Sequence, residues 1–379
     1  MEKKDVAQGK KRILIVFGTR PDAIKMCPVV LELRRRKYFE ARVCVSGQHR
    51  QMLDEVLDFF GVKPEYDLNV MAPDQDLFGV TARVMNGMKK VLADFRPDCV
   101  LVHGDTTTAL AASLSAYYMK ARIGHVEAGL RTGDKNSPFP EEINRKVVGT
   151  LADFHFAPTE KAKSNLLKEG ITPGDITVTG NTAIDALYIA MRKLKADRFR
   201  PDIKLMPNKR LILVTAHRRE SFGQGIRNIC MALKDLASRN KDIYIVYPVH
   251  PNPNVREPVN KYLAGTDNIL LTAPLDYRTF VYLMDKSFLI LTDSGGIQEE
   301  APSLGKPVLV LREKTERPEA LEAGTVRLVG TGRKKIVEET QRLLDSREEY
   351  GLMSKKINPY GDGKASERIA DFIANFYGP

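Results

Sequence analysis

The chain has 379 residues, of which 43% are hydrophobic and 28% charged, and its formal net charge is +11. The length predicts two or three domains of roughly 150 residues, and the composition is that of a globular protein rather than a disordered one. No apolar run approaches the roughly 20 residues that span a bilayer, and the first is too short for a signal peptide. We therefore expect no membrane partner and a cytoplasmic location.

The cysteines and the basic residues also narrow the class of protein. Cys27, Cys44, Cys99 and Cys230 are far apart, which favours free thiols in a reducing compartment. Neither they nor the six histidines show the spacing of metal ligands, so we expect no metal. The densest basic run, residues 34–37, ends a predicted helix, where cations favour the dipole. A solvated helix end is therefore favoured over a nucleic-acid surface.

Short apolar runs alternate with amphipathic helical patterns in the first half of the chain. Strands are predicted at residues 12–17, 42–46, 99–103, 122–126, 154–157 and 176–179, and helices at 23–36, 51–60, 78–95 and 107–119. This alternation predicts a parallel sheet with right-handed crossovers, which makes a doubly wound domain.

The same alternation restarts after a polar stretch, residues 193–209, whose two prolines are typical of a linker. Further strands are predicted at residues 210–215, 243–247, 269–272, 288–292, 308–311 and 326–329. We expect domains at 1–185 and 186–364, with the amphipathic segment 365–379 packing back on the first. The predicted fold class is α/β, with two Rossmann-like doubly wound parallel-sheet domains facing a cleft, where the strand ends bind ligands.

One group of polar residues follows a predicted strand of the second domain. Asp293 and Ser294 lead through Gly295 and Gly296 into a helix. Glycines admit a ligand close to the backbone, and a helix N-terminus binds phosphate, while Glu300, one turn later, suits ribose hydroxyls. The alternative is a helix capped by Asp293 or Ser294. Without a GxxxxGK[ST] loop, ATP or GTP chemistry is disfavoured.

Three carboxylates follow the predicted strands of the first domain. Asp105 and Glu127 end neighbouring strands, and Glu141 begins a helix with Arg145 one turn later. In a desolvated cleft such groups act as general acids or bases. Two structural alternatives stay open: a Glu141–Arg145 ion pair within the helix, and capping by Asp105 of the helix that starts at Thr107.

Cations are predicted at the same cleft. Arg20 follows the first strand, and His217, Arg218 and Arg219 follow the first strand of the second domain. A departing diphosphate needs positive charge as its bond to carbon breaks. A single arginine is more often a surface residue, but cations from separate strand ends favour a functional role. No GxSxG segment occurs, so a serine nucleophile is not predicted.

Seven motifs resemble those of the non-hydrolysing, bacterial UDP-N-acetylglucosamine 2-epimerase family. They are GTRPDAIKM (18–26), GQHRQML (47–53), VHGDT (102–106), HVEAGLR (125–131), PEEINR (140–145), HRRE (217–220) and SGGIQEE (294–300). They run in the family's order, and the resemblance covers about residues 12 to 330. It implies the GT-B fold and reversible C2 epimerisation of UDP-N-acetylglucosamine (UDP-GlcNAc) to UDP-N-acetylmannosamine (UDP-ManNAc). The implied mechanism is anti elimination of UDP to a 2-acetamidoglucal and re-addition, without a cofactor.

The resemblance also implies roles for individual residues. Catalytic roles fall on Lys25, Asp105, Glu127, Glu141 and His217. Substrate contacts fall on Arg20, Phe280, Ser294, Gly295, Gly296 and Glu300, and we add Arg145. Positions that bind a second, activating UDP-GlcNAc in some members are matched by Gln48, Gln51, Glu141, Arg218 and His250. Asp74, however, stands where some activated members carry arginine.

Other properties of the family are expectations for this chain. Family members are usually homodimers and supply surface polysaccharide synthesis, so we expect both here. We also expect the loop 132–140 to close over the sugar. The main alternative is a UDP-sugar-dependent glycosyltransferase of the same fold, followed by a hydrolysing epimerase and a non-catalytic UDP-sugar sensor.

Overall fold

The structure, a computed structural model, describes residues 9–47, 50–72 and 76–378. Their contacts divide the chain into two compact units. Unit 1 runs to Ala186 and resumes at Tyr360, and unit 2 is Leu187–Pro359. Among the described residues, no helix combines the length and the apolar character needed to cross a membrane.

Strands and helices alternate along the chain. The strands are β1 (Lys11–Phe17), β2 (Phe39–Val45), β3 (Tyr66–Asp67), β4 (Cys99–His103), β5 (Arg122–Val126), β6 (Phe154–Ala157), β7 (Ile176–Val178), β8 (Arg210–Thr215), β9 (Ile243–Pro248), β10 (Ile269–Thr272), β11 (Ser287–Thr292), β12 (Val308–Val310) and β13 (Val326–Leu328). The helices are α1 (Arg20–Arg35), α2 (Arg50–Phe60), α3 (Leu77–Phe95), α4 (Thr107–Tyr118), α5 (Glu141–Leu151), α6 (Glu160–Lys168), α7 (Thr182–Ala196), α8 (Gln224–Arg239), α9 (Pro253–Leu263), α10 (Tyr277–Lys286), α11 (Gly295–Glu300), α12 (Pro318–Glu322), α13 (Arg333–Asp345), α14 (Arg347–Ser354) and α15 (Ala365–Tyr377).

Unit 1 is built on a seven-stranded sheet in the order β3-β2-β1-β4-β5-β6-β7. Its central strands β1 and β4 pair in parallel, Ile13 with Cys99 and Val16 with Val102. Both strands are rich in buried apolar residues, as expected where helices cover the two faces of a parallel sheet. The strand order reverses between β1 and β4, so the residues that follow these two strands lie side by side.

Unit 2 has a six-stranded sheet in the order β10-β9-β8-β11-β12-β13. Here β8 and β11 are the neighbours at the reversal, and Thr215 is in register with Thr292. Apolar residues of α8, α9 and α13 belong to the same core cluster as these strands. The residues that follow β8 and β11 therefore lie next to each other.

The predicted fold class of two Rossmann-like parallel-sheet domains is confirmed. The short strand β3 is not predicted from the sequence, because two residues are too few to show a periodicity. The predicted linker 193–209 is wrong at its start, since α7 continues to Ala196.

Candidate active site

The turn from β1 into α1 carries the first group of site residues. Thr19 caps α1, and its hydroxyl accepts a hydrogen bond from the Asp22 backbone N–H at 3.3 Å. The Asp22 carboxylate accepts in return from the Thr19 N–H at 3.2 Å, which completes a capping box. Arg20 is the first residue of the helix and is half-buried. The cap therefore holds the Asp22 side chain near the end of β1.

Glu127, directly after β5, is the centre of a buried polar network. Its Oε2 atom pairs with the ammonium of Lys25 and accepts a hydrogen bond from the Asn181 side-chain amide at 3.1 Å. The His103 Nε2 atom lies 3.7 Å from the same oxygen, and the His103 Nδ1 atom lies 3.0 Å from the Asp22 carboxylate. Glu127 has a φ of +63°, a strained region for a non-glycine residue that is enriched at functional sites.

The charges in this network shift the pKa values. Burial alone would lower the pKa of His103, but the charge of Glu127 and the bond to Asp22 raise it to about 9. Burial would raise the pKa of Glu127, but the charges of Lys25 and His103 hold it well below its usual range. His125 bonds a backbone carbonyl instead, and burial lowers its pKa to about 3. The network therefore holds a carboxylate anion beside two cations.

Asp105, two residues after β4, forms the second carboxylate site. It pairs with the guanidinium of Arg145, and its backbone carbonyl accepts a hydrogen bond from the Asn144 side chain at 2.8 Å. Burial raises the pKa of Asp105, although Arg145 opposes that rise. Both structural alternatives are wrong here, because Arg145 pairs with Asp105 rather than with Glu141, and Thr106 caps α4.

Glu141 and Glu142 begin α5, and their carboxylates have different surroundings. Glu142 is fully buried and accepts hydrogen bonds from the backbone N–H groups of Thr132 and Gly133, each at 3.1 Å. It therefore holds one end of the loop that precedes the helix. The Glu141 Oε2 atom is buried and has no hydrogen-bond partner within the described part of the chain. A buried acceptor of this kind calls for an explanation, and a bound ligand supplies one.

In unit 2, Asp293 ties together the loops that follow β8 and β11. It is fully buried, and its Oδ2 atom accepts hydrogen bonds from the His217 and Arg218 backbone N–H groups at 2.6 and 2.7 Å. The alternative of a side-chain cap on α11 is therefore wrong: Asp293 bonds the β8 loop, and the Ser294 N-cap makes no side-chain cap bond. The imidazole of His217 stacks on that of His250, with ring centroids 5.3 Å apart.

The glycines after β11 lie beside a cation that the sequence does not single out. Arg317 pairs with Glu299, and a Cβ placed on Gly295 would lie 3.5 Å from its guanidinium. A Cβ placed on Gly296 would lie 3.6 Å from the Glu300 carboxylate. The backbone at both glycines thus passes close to charged side chains.

The remaining predicted residues have simpler positions. Phe280 is half-buried in α10, and Gln51 lies in α2 with its side chain outside the described atoms. Gln48 and Asp74 lie outside the described residues, so the activator site stays a prediction. Within the ranges that the structure describes, no three His, Cys, Asp or Glu side chains are grouped so that they could hold a metal ion.

The structure adds four residues that sequence reasoning does not place in the site: His103, Asn181, Glu142 and Arg317. His103 stands inside the VHGDT motif and Glu142 inside PEEINR, so the sequence holds a signal for both. Asn181 reaches Glu127 from a distant part of the chain, and Arg317 reaches Glu299 from a separate loop. No local pattern predicts such contacts, because they depend on how the strands are ordered.

Fold and site together define a two-domain α/β enzyme with ionisable side chains after the strands of both sheets. A family model described as UDP-N-acetylglucosamine 2-epimerase matches residues 31–374. The chain is 56% identical over 370 residues to the UDP-N-acetylglucosamine 2-epimerase of Escherichia coli K12, covering 96% of this chain and 98% of that one. The chain belongs to the UDP-N-acetylglucosamine 2-epimerase family and is an isomerase.

Solved structures agree with this assignment. The Neisseria meningitidis UDP-GlcNAc 2-epimerase bound to UDP-GlcNAc is 50% identical with a TM-score of 0.87, over 96% of this chain and 100% of that one. The Methanocaldococcus jannaschii UDP-GlcNAc 2-epimerase in complex with UDP-GlcNAc and UDP is 33% identical with a TM-score of 0.77, over 97% and 100%. Both similarities cover most of the residues of each unit, so each unit shares the family's fold.

Proposed function

We propose that the chain catalyses the reversible C2 epimerisation of UDP-GlcNAc to UDP-ManNAc without a metal or a nicotinamide cofactor. Family membership supports the substrate, since the E. coli and N. meningitidis relatives carry the activity in their names. The observation that carries the chemistry is a pair of carboxylates in one unit with pKa values moved in opposite directions. The pKa of Glu127 is lowered and that of Asp105 is raised. Such a pair suits one base and one acid.

The reaction we propose proceeds by elimination and re-addition. A carboxylate removes the C2 proton, the C1–oxygen bond to UDP breaks with its electron pair leaving on the diphosphate, and a 2-acetamidoglucal remains bound. UDP then adds back at C1 while a proton is delivered to the other face of C2.

Asp105, Glu127 and Glu141 are the candidates for the two proton transfers, and all three belong to unit 1. Glu127 pairs with Lys25, and Asp105 pairs with Arg145. Glu141 begins the helix that carries Arg145, and its buried Oε2 atom is unsatisfied among the described residues. Each carboxylate therefore either stands beside a cation or has an oxygen available for a ligand.

We propose that unit 2 binds the nucleotide. Ser294, Gly295 and Gly296 contact the diphosphate, and Glu300 contacts the ribose, as the motif match implies. The close approach of Arg317 to Gly295 supports an anionic ligand there, because a guanidinium stabilises phosphate charge.

We assign the remaining substrate contacts from the motif match. His217 acts on the departing diphosphate, and its loop is held by the buried carboxylate of Asp293. Arg20 contacts the phosphates, and Phe280 contacts the uracil. Both side chains are half-buried, which leaves part of each accessible to a ligand.

We further propose a homodimer, activation by a second UDP-GlcNAc, a cytoplasmic location and a role in surface polysaccharide synthesis. The dimer is proposed from the family resemblance, and large apolar side chains exposed on α3, α4 and α5, among them Phe78, Tyr118 and Ile143, are candidates for its interface. The four cysteines are buried free thiols, which suits a reducing compartment. Activation rests on the motif match alone, and UDP-ManNAc turnover with and without added UDP-GlcNAc tests it.

Proton NMR of the purified protein with UDP-GlcNAc alone, in deuterated buffer without metal or acceptor, tests the proposed reaction. We expect UDP-ManNAc to appear and C2 of both sugars to take up deuterium, because the C2 proton exchanges with solvent at the catalytic carboxylate. Stoichiometric UDP with free N-acetylmannosamine would indicate a hydrolysing enzyme. An unchanged spectrum with bound UDP-GlcNAc would refute the epimerase assignment and favour a glycosyltransferase or a sensor.

A further inference from the structure

His103 is a buried histidine beside Glu127 and Asp22 to which the proposed reaction assigns no role. Its side chain is 4% exposed, so it is the less accessible of the two cations beside Glu127, the other being Lys25 at 14%. Its Nδ1 atom bonds the Asp22 carboxylate, and its Nε2 atom has no hydrogen-bond partner among the described residues. An unsatisfied buried N–H costs free energy, so its presence beside Glu127 calls for an explanation.

The Asp22 carboxylate holds the imidazole of His103 through its Nδ1 atom, on the side of the ring away from Glu127. Asp22 is buried, and its second carboxylate oxygen is occupied by the capping bond from the Thr19 backbone at 3.2 Å. This arrangement fixes the carboxylate, and through it the tautomer and the ring orientation of His103, in the way that a carboxylate orients a catalytic imidazole. The Nε2 atom of His103 therefore stays 3.7 Å from the Oε2 atom of Glu127.

Lys25 and His103 both lie beside Glu127, but they differ in exposure and therefore in access to a substrate. Lys25 comes from α1 and is partly exposed, and the motif match assigns it a catalytic role. His103 lies at the end of β4, beside the Glu127 carboxylate oxygen that Lys25 and Asn181 already contact. If Lys25 turns toward the substrate, Glu127 loses one of its cations, and the Nε2–H of His103 is a nearby donor that can replace it.

We propose, resting on the proposed function, that His103 is a positioning residue that, held by Asp22, keeps Glu127 ionised and in one orientation when Lys25 engages the substrate. It acts through Glu127 and does not touch the sugar. The charged and titratable groups that bear on this pair are Asp22 and Lys25 of α1, Asp105 after β4, His125 of β5, and Arg145 of α5 through Asp105. All lie in unit 1.

The first test compares the pH profiles of kcat for His103→Gln and for the wild-type protein. We expect kcat of His103→Gln to fall about tenfold to a hundredfold and KM to change less than about twofold. Loss of the acid or base itself would lower kcat by roughly 10²–10⁴-fold. The limb of the profile that Glu127 sets moves to higher pH, since a carboxylate that loses a neighbouring cation has a higher pKa. Asp22→Asn shifts the limb in the same direction, and Asp22→Glu, which keeps the carboxylate, restores most of the activity.

His155→Gln is the matched control. His155 is also a buried histidine of this sheet, on β6, and it is not bonded to any of the three carboxylates in the described structure. We expect it to alter thermal stability without moving the pH profile. An unmoved profile in His103→Gln, or a shift of equal size in His155→Gln, would overturn the proposal.

A second measurement does not depend on turnover. Imidazole NMR of the full chain follows the titration of His103 without substrate, and we expect its pKa near 9 to fall toward 6.5 in Asp22→Asn and in Glu127→Gln. This experiment also serves if His103→Gln does not fold. An inactive wild-type protein would refute the proposed function, whereas a His103 titration unaffected by both substitutions would refute the coupling itself.

Discussion

The buried carboxylate of Asp293 offers a sharp test of how the His217 loop is held. Asp293→Ala removes the acceptor of two charge-assisted hydrogen bonds, from the backbone N–H groups of His217 and Arg218 at 2.6 and 2.7 Å. Each such bond contributes about 1.5–3 kcal/mol, so the two together contribute about 3–6 kcal/mol to holding the loop beside β11. We expect unit 2 to be destabilised by an amount in this range and the loop to open more often.

Amide hydrogen exchange measures this opening directly. In Asp293→Ala we expect the His217 and Arg218 amides to exchange on the order of 10- to 100-fold faster, the factor that corresponds to about 1.5–3 kcal/mol at each bond. Asp293→Asn keeps an acceptor oxygen without the charge, so its effect should be about half as large in free energy. Asp235→Ala, which removes a partly exposed ion pair with Arg333, is the control and should leave these amides unchanged.

The exchange rates in Asp293→Ala decide whether this carboxylate holds the loop. If the two amides exchange in Asp293→Ala as they do in the wild-type protein, then Asp293 does not hold the loop, whatever happens to activity. Loss of epimerase activity with faster exchange would instead connect loop position to His217 function. Faster exchange with full activity would show that the loop reforms when the nucleotide binds.

Three further predictions concern unit 1. Because the pKa of His103 is raised from 6.5 to about 9, the stability that it contributes is present below pH 6.5 and is lost as the pH rises to about 9. Urea unfolding should show a loss on the order of 3 kcal/mol across this range, and Asp22→Asn should reduce that loss. Glu142→Gln leaves one acceptor oxygen for two backbone N–H groups, so the loop before α5 should loosen. Chromatography should then detect more released UDP and glycal per turnover than in the wild-type protein, and equal release would argue against a closing loop. Gly129→Ala places a Cβ against the backbone carbonyl of Ala162 at a φ of +86°, so thermal unfolding should show a loss of at least about 2 kcal/mol in the free energy of unfolding. Gly133→Ala is the control: its φ is similar but the space around it is open, so the loss should be about 1–2 kcal/mol.

The architecture and the grouping of the candidate site residues both follow from the order of residues along the chain. The mainly apolar runs 99–103, 122–126 and 154–157 coincide with β4, β5 and β6, because strands covered by helices on both faces are mostly apolar. The polar residues after these strands, Asp105 and Glu127 among them, are predicted as site residues for a related reason. Parallel strands bring their carboxyl ends to one edge of the sheet, so position in the chain is enough to group them.

Which side chains pair with one another depends on the tertiary structure. Within α5, the spacing of Glu141 and Arg145 allows an ion pair worth about 0.2–0.5 kcal/mol, but Arg145 bonds Asp105. Leaving a buried carboxylate without its cation would cost about 3–5 kcal/mol, which outweighs the helix pair. Likewise the α11 motif suggests that Asp293 caps its own helix, whereas it bonds the backbone after β8. Local spacing limits which residues can meet along one element. The strand order, which no local pattern contains, decides which partners from distant parts of the chain compete for the same buried charge.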